Sequence, residues 1–134
     1  MKSVLRSFSI MILLLFLYAG NGFAQERIIF CESVDDNGNI KGEGTYFTID
    51  ENGSYVFAFV NLGLPVMSEY AYFYIYTVDD NERKLNDSFK MSINEEWEWF
   101  YTDINFYDEG IYDIEVYDDT DYLLANGTIN ISYR

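Results

Sequence analysis

The sequence contains no histidine, so its own residues cannot form a Ser-His-Asp or Cys-His catalytic group. The same absence removes the imidazole ligands that zinc and copper sites usually use. Glycine-rich phosphate loops and catalytic lysine motifs are also missing. Paired carboxylates are the remaining catalytic chemistry, and Glu96 and Glu98 would lie roughly 6–7 Å apart on a strand, a spacing that fits a glycosidase pair. Ordinary solvent-facing strand residues explain both side chains better, and glycosidases usually need a larger scaffold with a cleft, so we predict that the protein is not an enzyme.

Cysteine and proline occur once each, as Cys31 and Pro65. One cysteine excludes an intrachain disulfide, and we expect Cys31 to be a buried thiol in the first strand. Phe30 stands where a lipoprotein signal needs a small residue, so lipid attachment at Cys31 is not expected. Pro65 fits an edge strand or a crossover, and no stretch has the apolar spacing of an amphipathic helix.

The beginning of the chain has the three-part pattern of a secretory signal peptide. A basic segment precedes an apolar run over residues 10–17, which is too short to span a bilayer, and Gly22 and Ala24 supply small residues before the cut. We therefore predict a cleaved signal peptide over residues 1–24 and a single exported domain over residues 25–134. The expected location is secreted, periplasmic or at the cell surface.

Positive charge is scarce, with 8 Lys and Arg against 23 Asp and Glu. Removing Lys2 and Arg6 with the leader changes the formal charge from −15 to −17. A surface this acidic repels phosphate backbones and anionic lipids, so we expect neither nucleic acid nor membrane as a partner. Cations and basic protein patches are the natural charged partners.

Short segments with alternating apolar and polar residues follow one another along the rest of the chain, separated by turn residues. This pattern is typical of an all-β antiparallel sandwich with about seven or eight strands, and an up-and-down barrel is the alternative. Asp50 to Gly53 predicts a hairpin turn between the second and third strands, and Asn126-Gly127 predicts a bulge in the last. The predicted strands are 27–33, 44–49, 54–61, 71–78, 85–93, 95–101, 111–117 and 122–133.

The segment Asp108-Glu109-Gly110-Ile111-Tyr112 resembles the tyrosine corner of immunoglobulin-like β-sandwiches. The resemblance implies that the Tyr112 hydroxyl bonds back to the upstream backbone, with Asp108 and Gly110 forming the corner. Ile114 stands where antibody domains have their second cysteine, so the disulfide of that family is not expected. The resemblance implies a fold and says little about activity.

Aromatic residues are abundant, with 13 Tyr, 11 Phe and 2 Trp in the chain. Core packing explains many of them, and we assign Phe57, Phe59, Phe73 and Tyr112 to it. A row of rings on a sheet can also anchor a protein or stack on sugars. We predict an exported, non-enzymatic module that binds a protein or cell-surface component through one aromatic strand face, with a carbohydrate-binding module as the alternative. The predicted binding residues are Tyr72, Tyr74, Tyr76, Trp97, Trp99 and Tyr101.

Acidic loops suggest a structural calcium ion, which needs six to eight oxygen ligands gathered from several loops. No other cofactor is expected. The alternative is that Asp and Asn are present only because their side chains stabilise turns. A third acidic loop spans residues 79–82. The candidate calcium ligands are Asp35, Asp36, Asn37, Asn39, Asp118, Asp119 and Asp121.

Overall fold

The computed structural model describes residues 26–134, and the predicted signal peptide over residues 1–24 lies outside them. This part of the chain is all-β, with eleven strands and no helix. Among its residues, no helix is long and apolar enough to cross a membrane. The strands are β1 (Glu26–Arg27), β2 (Ile29–Cys31), β3 (Ser33–Val34), β4 (Ile40–Lys41), β5 (Tyr46–Ile49), β6 (Ser54–Asn61), β7 (Tyr70–Asp79), β8 (Glu82–Ser92), β9 (Trp99–Phe106), β10 (Gly110–Tyr117) and β11 (Leu123–Tyr133).

The strands form three sheets. The largest has six strands, five of them in the order β1-β11-β10-β7-β8, with β5 as a third partner of β11. A three-stranded sheet has the order β2-β6-β9, and β3 and β4 form a small hairpin. Pairing is antiparallel except that β1 and β5 run parallel to β11. Within the described part of the chain each sheet has free edges, so the alternative of a closed up-and-down barrel is wrong.

The core follows from the two-residue alternation of strands, which points successive side chains to opposite faces. On β7 the small or apolar residues Ala71, Phe73 and Ile75 are buried, whereas the tyrosines between them are half-buried. The strands β10 and β11 alternate in the same way. Buried residues of the six-stranded and three-stranded sheets form one continuous hydrophobic cluster. One face of each sheet therefore points away from the core.

The strand β6 was predicted to be central because it is apolar on both faces, and it does lie between β2 and β9. Its inner face places Val56 and Val60 in the core cluster. Phe59 is buried as predicted, whereas Phe57 is only half-buried, so its assignment to the core is wrong. The positions of both residues alternate with the inner residues, and neither belongs to the main hydrophobic cluster. They belong to an aromatic layer on the outer face.

The corner before β10 contains the expected bond. The Tyr112 hydroxyl donates to the backbone carbonyl of Asp108 at 2.7 Å, and the Tyr112 ring packs edge-on against Phe106. Gly110 has a φ of +153°, a conformation that L side chains rarely adopt, which explains glycine at this position.

Three local predictions are wrong, namely one hairpin, the position of one bulge and the start of one strand. β5 and β6 do not form a hairpin, because β5 belongs to the six-stranded sheet, where it pairs with β11. The irregularity in the last pair falls between Val116 and Tyr117, opposite the start of β11, and not at Asn126-Gly127. The predicted strand 95–101 is a turn up to residue 98, and β9 begins at Trp99.

Candidate functional site

A groove of about 670 Å³ lies at the beginning of β9, and we call it the β9 groove. It contains both tryptophans of the chain together with Tyr101, three of the six residues predicted to bind a ligand. One wall comes from β8 and the other from β9 and the turn before it. The lining residues are Asp36, Met91, Ser92, Glu96, Trp97, Glu98, Trp99, Phe100 and Tyr101.

The turn that carries Trp97 is held by backbone hydrogen bonds on two sides. Within the turn, the Trp97 amide donates to the Asn94 carbonyl at 3.0 Å. Across from it, the amides of Leu62 and Val66 donate to the carbonyls of Glu98 and Trp97, each at 2.8 Å. Because these bonds fix the backbone before a ligand arrives, little conformational entropy is lost at this turn on binding.

The rings of the groove continue an aromatic row across the outer face of the three-stranded sheet. Trp99 lies 6.3 Å from Tyr101 between ring centroids, with planes 12° apart, and 5.6 Å from Phe59. Phe57 joins the row through Tyr101 at 5.9 Å. Trp97 is 45 % exposed, so its indole is available to a ligand. The row of contacting rings therefore reaches the groove at Trp99, and Trp97 lines the same groove.

The β3–β4 hairpin packs against this row through Gly38. The residue has a φ of +79°, and a Cβ at this position would lie 3.2 Å from the Trp99 ring. Glycine therefore satisfies both the turn conformation and the close approach. The hairpin holds the Trp99 indole from one side and contributes Asp36 to the lining of the groove.

The electrostatic character of the groove is negative. Asp36, Glu96 and Glu98 are among its lining residues, and no lysine or arginine is among them. The cations of the described chain lie elsewhere, and they are Arg27, Lys41, Arg83, Lys84, Lys90 and Arg134. Aromatic faces and carboxylates both attract positive charge, so the arrangement favours a cationic group on the ligand.

The three predicted tyrosines of β7 lie on a different surface. Tyr72, Tyr74 and Tyr76 share the outer face of the six-stranded sheet, whereas Trp99 and Tyr101 lie on the outer face of the three-stranded sheet. Both sheets turn their other faces to the same core. The expectation of a single binding face made from both strands is therefore wrong.

The outer face of the six-stranded sheet, which carries these tyrosines, already has cationic groups of the chain packed against its rings. The Arg83 guanidinium lies 4.0 Å from the centre of the Tyr76 ring, and Lys90 lies 4.4 Å from that of Tyr70. Arg83 also pairs with Glu115, which accepts a second hydrogen bond from the Tyr117 hydroxyl at 2.7 Å. This hydrogen bond to Glu115 raises the pKa of Tyr117 to about 12. With its rings and charges paired within the chain, this surface offers less to a charged ligand than the β9 groove.

Asp35 and Asp118, the first residues of the two predicted calcium loops, have carboxylates that are already engaged in turns. The Asp35 carboxylate accepts the amides of Asn37 and Asn39, and one oxygen of Asp118 accepts the amides of Thr120 and Tyr122. Among residues 26–134, no group of three or more Cys, Asp or Glu side chains could hold a metal ion. The register of β7 and β10 also places the 79–82 loop at the opposite end from the 118–121 loop. The structure therefore does not assemble the predicted calcium site.

Two further expectations concern Cys31 and the pair of Glu96 and Glu98. Cys31 is fully buried, as predicted, and burial raises the pKa of its thiol, which makes the thiolate scarce at neutral pH. Glu96 and Glu98 both line the groove but lie in the turn before β9. The strand spacing on which a glycosidase pair was based is therefore absent.

Sequence reasoning missed several contributors to the site. Gly38 and Asp36 come from a hairpin distant in sequence, and Met91 comes from the edge of the other sheet. One signal for this site was present in the sequence, because β6 is apolar on both faces and its outer face therefore has to be covered or to bind a partner.

The chain matches no protein-family model, and a comparison with curated proteins finds no similar sequence.

Proposed function

We propose that the chain is an exported, non-enzymatic interaction module that binds a basic segment of a protein partner in the β9 groove. The observation that carries the proposal is the exposed Trp97 beside Trp99 and Tyr101, flanked by carboxylates and by no cation. A lysine or arginine side chain placed there gains cation–π attraction and charge-assisted hydrogen bonds together. The formal charge of −17 after loss of the leader favours approach of the same kind of partner.

We also propose that the scaffold is an immunoglobulin-like β-sandwich. The pairing of β6 with β9 in one sheet, and of β8-β7-β10-β11 in the other, supports this assignment. It matches the division of an immunoglobulin-like domain into a sheet containing strands B and E and a sheet containing C′, C, F and G. The bond from Tyr112 to Asp108, at the start of the strand that corresponds to F, is a second supporting observation.

A peptide titration tests the binding proposal. The probe is an acetylated and amidated peptide of alternating lysine and threonine, about eight residues long to match β9. Because Trp97 and Trp99 are the only tryptophans, intrinsic fluorescence reports on the groove itself. We expect saturable binding that weakens about tenfold or more in Trp97→Ala. Tyr46→Ala, which truncates a 68 % exposed ring on β5, is the matched control and should bind normally.

Charge is tested by removing two carboxylates at a time. Glu96→Gln/Glu98→Gln should weaken the lysine peptide severalfold, because two lining charges are lost. Glu51→Gln/Glu82→Gln removes the same charge at exposed positions outside the groove. Equal loss in the two double variants would mean that only the net charge attracts the peptide. That result would contradict the proposed site.

A carbohydrate ligand is the second candidate, and the near-parallel planes of Trp99 and Tyr101 favour it. Such rings stack on sugar faces, and carboxylates accept hydrogen bonds from hydroxyls. A panel of neutral oligosaccharides distinguishes the two ligand classes through salt dependence. Binding of a neutral sugar should change little between low and high salt, whereas binding of the lysine peptide should weaken.

A further inference from the structure

The free edge of β9 indicates how the partner binds. We propose that a basic, extended segment of another protein adds to the three-stranded sheet as a new strand beside β9, placing its cationic side chains in the groove and along the seam toward β8. This inference rests on the proposed function, because it assumes the same basic partner. It specifies the backbone conformation of that partner and the edge that the partner occupies.

The hydrogen-bonding pattern of β9 leaves one side of the strand open. Among the described residues, β9 pairs only with β6. The Leu62 amide donates to the Glu98 carbonyl in the same register, so the even-numbered residues of β9 bond to β6. The amides and carbonyls of Trp99, Tyr101, Asp103 and Asn105 therefore point to the free edge. A strand placed there would find donors and acceptors at the spacing of an antiparallel or parallel ladder.

Other edges carry features that discourage strand addition, and β9 does not. β8 is interrupted by a register shift opposite Ile75 and Tyr76, and it carries Arg83, Lys84 and Lys90. β1, β2 and β5 have four residues or fewer. β9 has eight residues in unbroken register with β6, no proline or lysine, and Asp103 as its only charge. Natural proteins rarely leave such an edge unprotected unless a partner covers it.

The seam between β8 and β9 continues the negative lining of the groove. A second cavity of about 320 Å³ lies farther along β9 and includes Asp87 and Asp103 in its lining. No lysine or arginine lines either cavity. Carboxylates are thus present along the length of the free edge, which argues for an occupant with several basic residues. Residues on one face of a strand repeat at about 6–7 Å, so alternate positions can meet successive carboxylates.

A backbone-methylated peptide tests this geometry without changing the protein. Methyl groups on alternate backbone amides of the lysine–threonine peptide keep its charges but remove the hydrogen bonds that strand addition needs. We expect this peptide to bind wild-type protein at least about tenfold more weakly than its unmethylated parent. With the parent peptide bound, amide hydrogen exchange should slow at Trp99, Tyr101 and Asp103.

The matched protein variants are Asn105→Pro and Asn105→Ala. Asn105 is exposed, and its N–H points away from β6, so proline removes no bond of the β6–β9 ladder. Asn105→Pro should weaken the parent peptide severalfold, and Asn105→Ala should not. Melting curves of both variants establish that the fold is retained.

The other possible results contradict strand addition, the proposed function or the separate basic partner. If the methylated peptide binds as well as its parent, the groove captures lysine side chains without strand addition, and only the proposed function stands. If wild type binds neither peptide, the proposed function fails as well. If wild type sediments as a dimer that Asn105→Pro dissociates, the edge is occupied by a second copy of this chain, and a separate basic partner is excluded.

Discussion

The hydroxyl of Tyr112 and the carbonyl of Asp108, separated by 2.7 Å, close the connection between β9 and β10. Tyr112 is 4 % exposed, and burial raises the pKa of its hydroxyl, which therefore stays a hydrogen-bond donor over the whole neutral range. The bond fixes the point at which the chain crosses from the three-stranded to the six-stranded sheet. It is the bond that the resemblance of this segment to a tyrosine corner implied.

Removing this hydroxyl tests how much the corner stabilises the fold. Tyr112→Phe should lower the free energy of unfolding by about 1–3 kcal/mol, because the Asp108 carbonyl loses a buried partner. Tyr133→Phe is the control, since its exposed hydroxyl donates to the Tyr107 carbonyl at 2.9 Å and should contribute less. Chemical denaturation of both variants gives the comparison. Equal stability of Tyr112→Phe and wild type would identify Tyr112 as ordinary core.

Alkaline titration tests the pairing of Tyr117 with Glu115. Because the folded-state pKa of Tyr117 is raised from 10.0 to about 12, the neutral hydroxyl is favoured by folding. Its stabilising contribution is complete below pH 10 and is lost as the pH rises toward 12. Tyrosinate absorbance should therefore show a late-titrating group that is absent in Tyr117→Phe. Identical late titration in both proteins would contradict the pairing.

Thermal melting in calcium and magnesium tests the acidic loops. We expect calcium to raise the melting temperature of the described domain no more than magnesium does. The reason is that Asp35 and Asp118 already accept turn amides, and the described carboxylates do not gather into a site. A calcium-specific rise of several degrees would require a site formed on binding, since a ligand that prefers the folded state stabilises it.

Local features of this protein were readable from the sequence because they depend on neighbouring residues. The alternation of Phe73 and Ile75 with tyrosines identified β7, and the resemblance of the segment from Asp108 to Tyr112 to a tyrosine corner implied the corner bond. Burial of Cys31 followed from its place in an apolar strand. In each case the information lies within a few residues of the feature.

Assignments that depend on sheet membership could not be made from the same patterns. The residues around Tyr74 and Trp99 do not indicate which sheet each strand joins. The two rings were therefore predicted to lie on one binding surface. β5 shows the same limit, because its partner β11 lies more than eighty residues later. The turn before β9 was read as strand because Glu96, Trp97, Glu98 and Trp99 alternate as a strand would.

The pairing of β11 has a consequence for the order of folding. This strand follows the other described strands in the chain, yet it joins β10 on one side and both β1 and β5 on the other. Ile131 pairs with Phe47, so a long loop has to close before that contact contributes any stability. While the chain is being synthesised, β1 and β5 lack this partner until β11 has been made. The large sheet is thus completed in a single late step, and the time before that step is when the unpaired early strands are most exposed to aggregation.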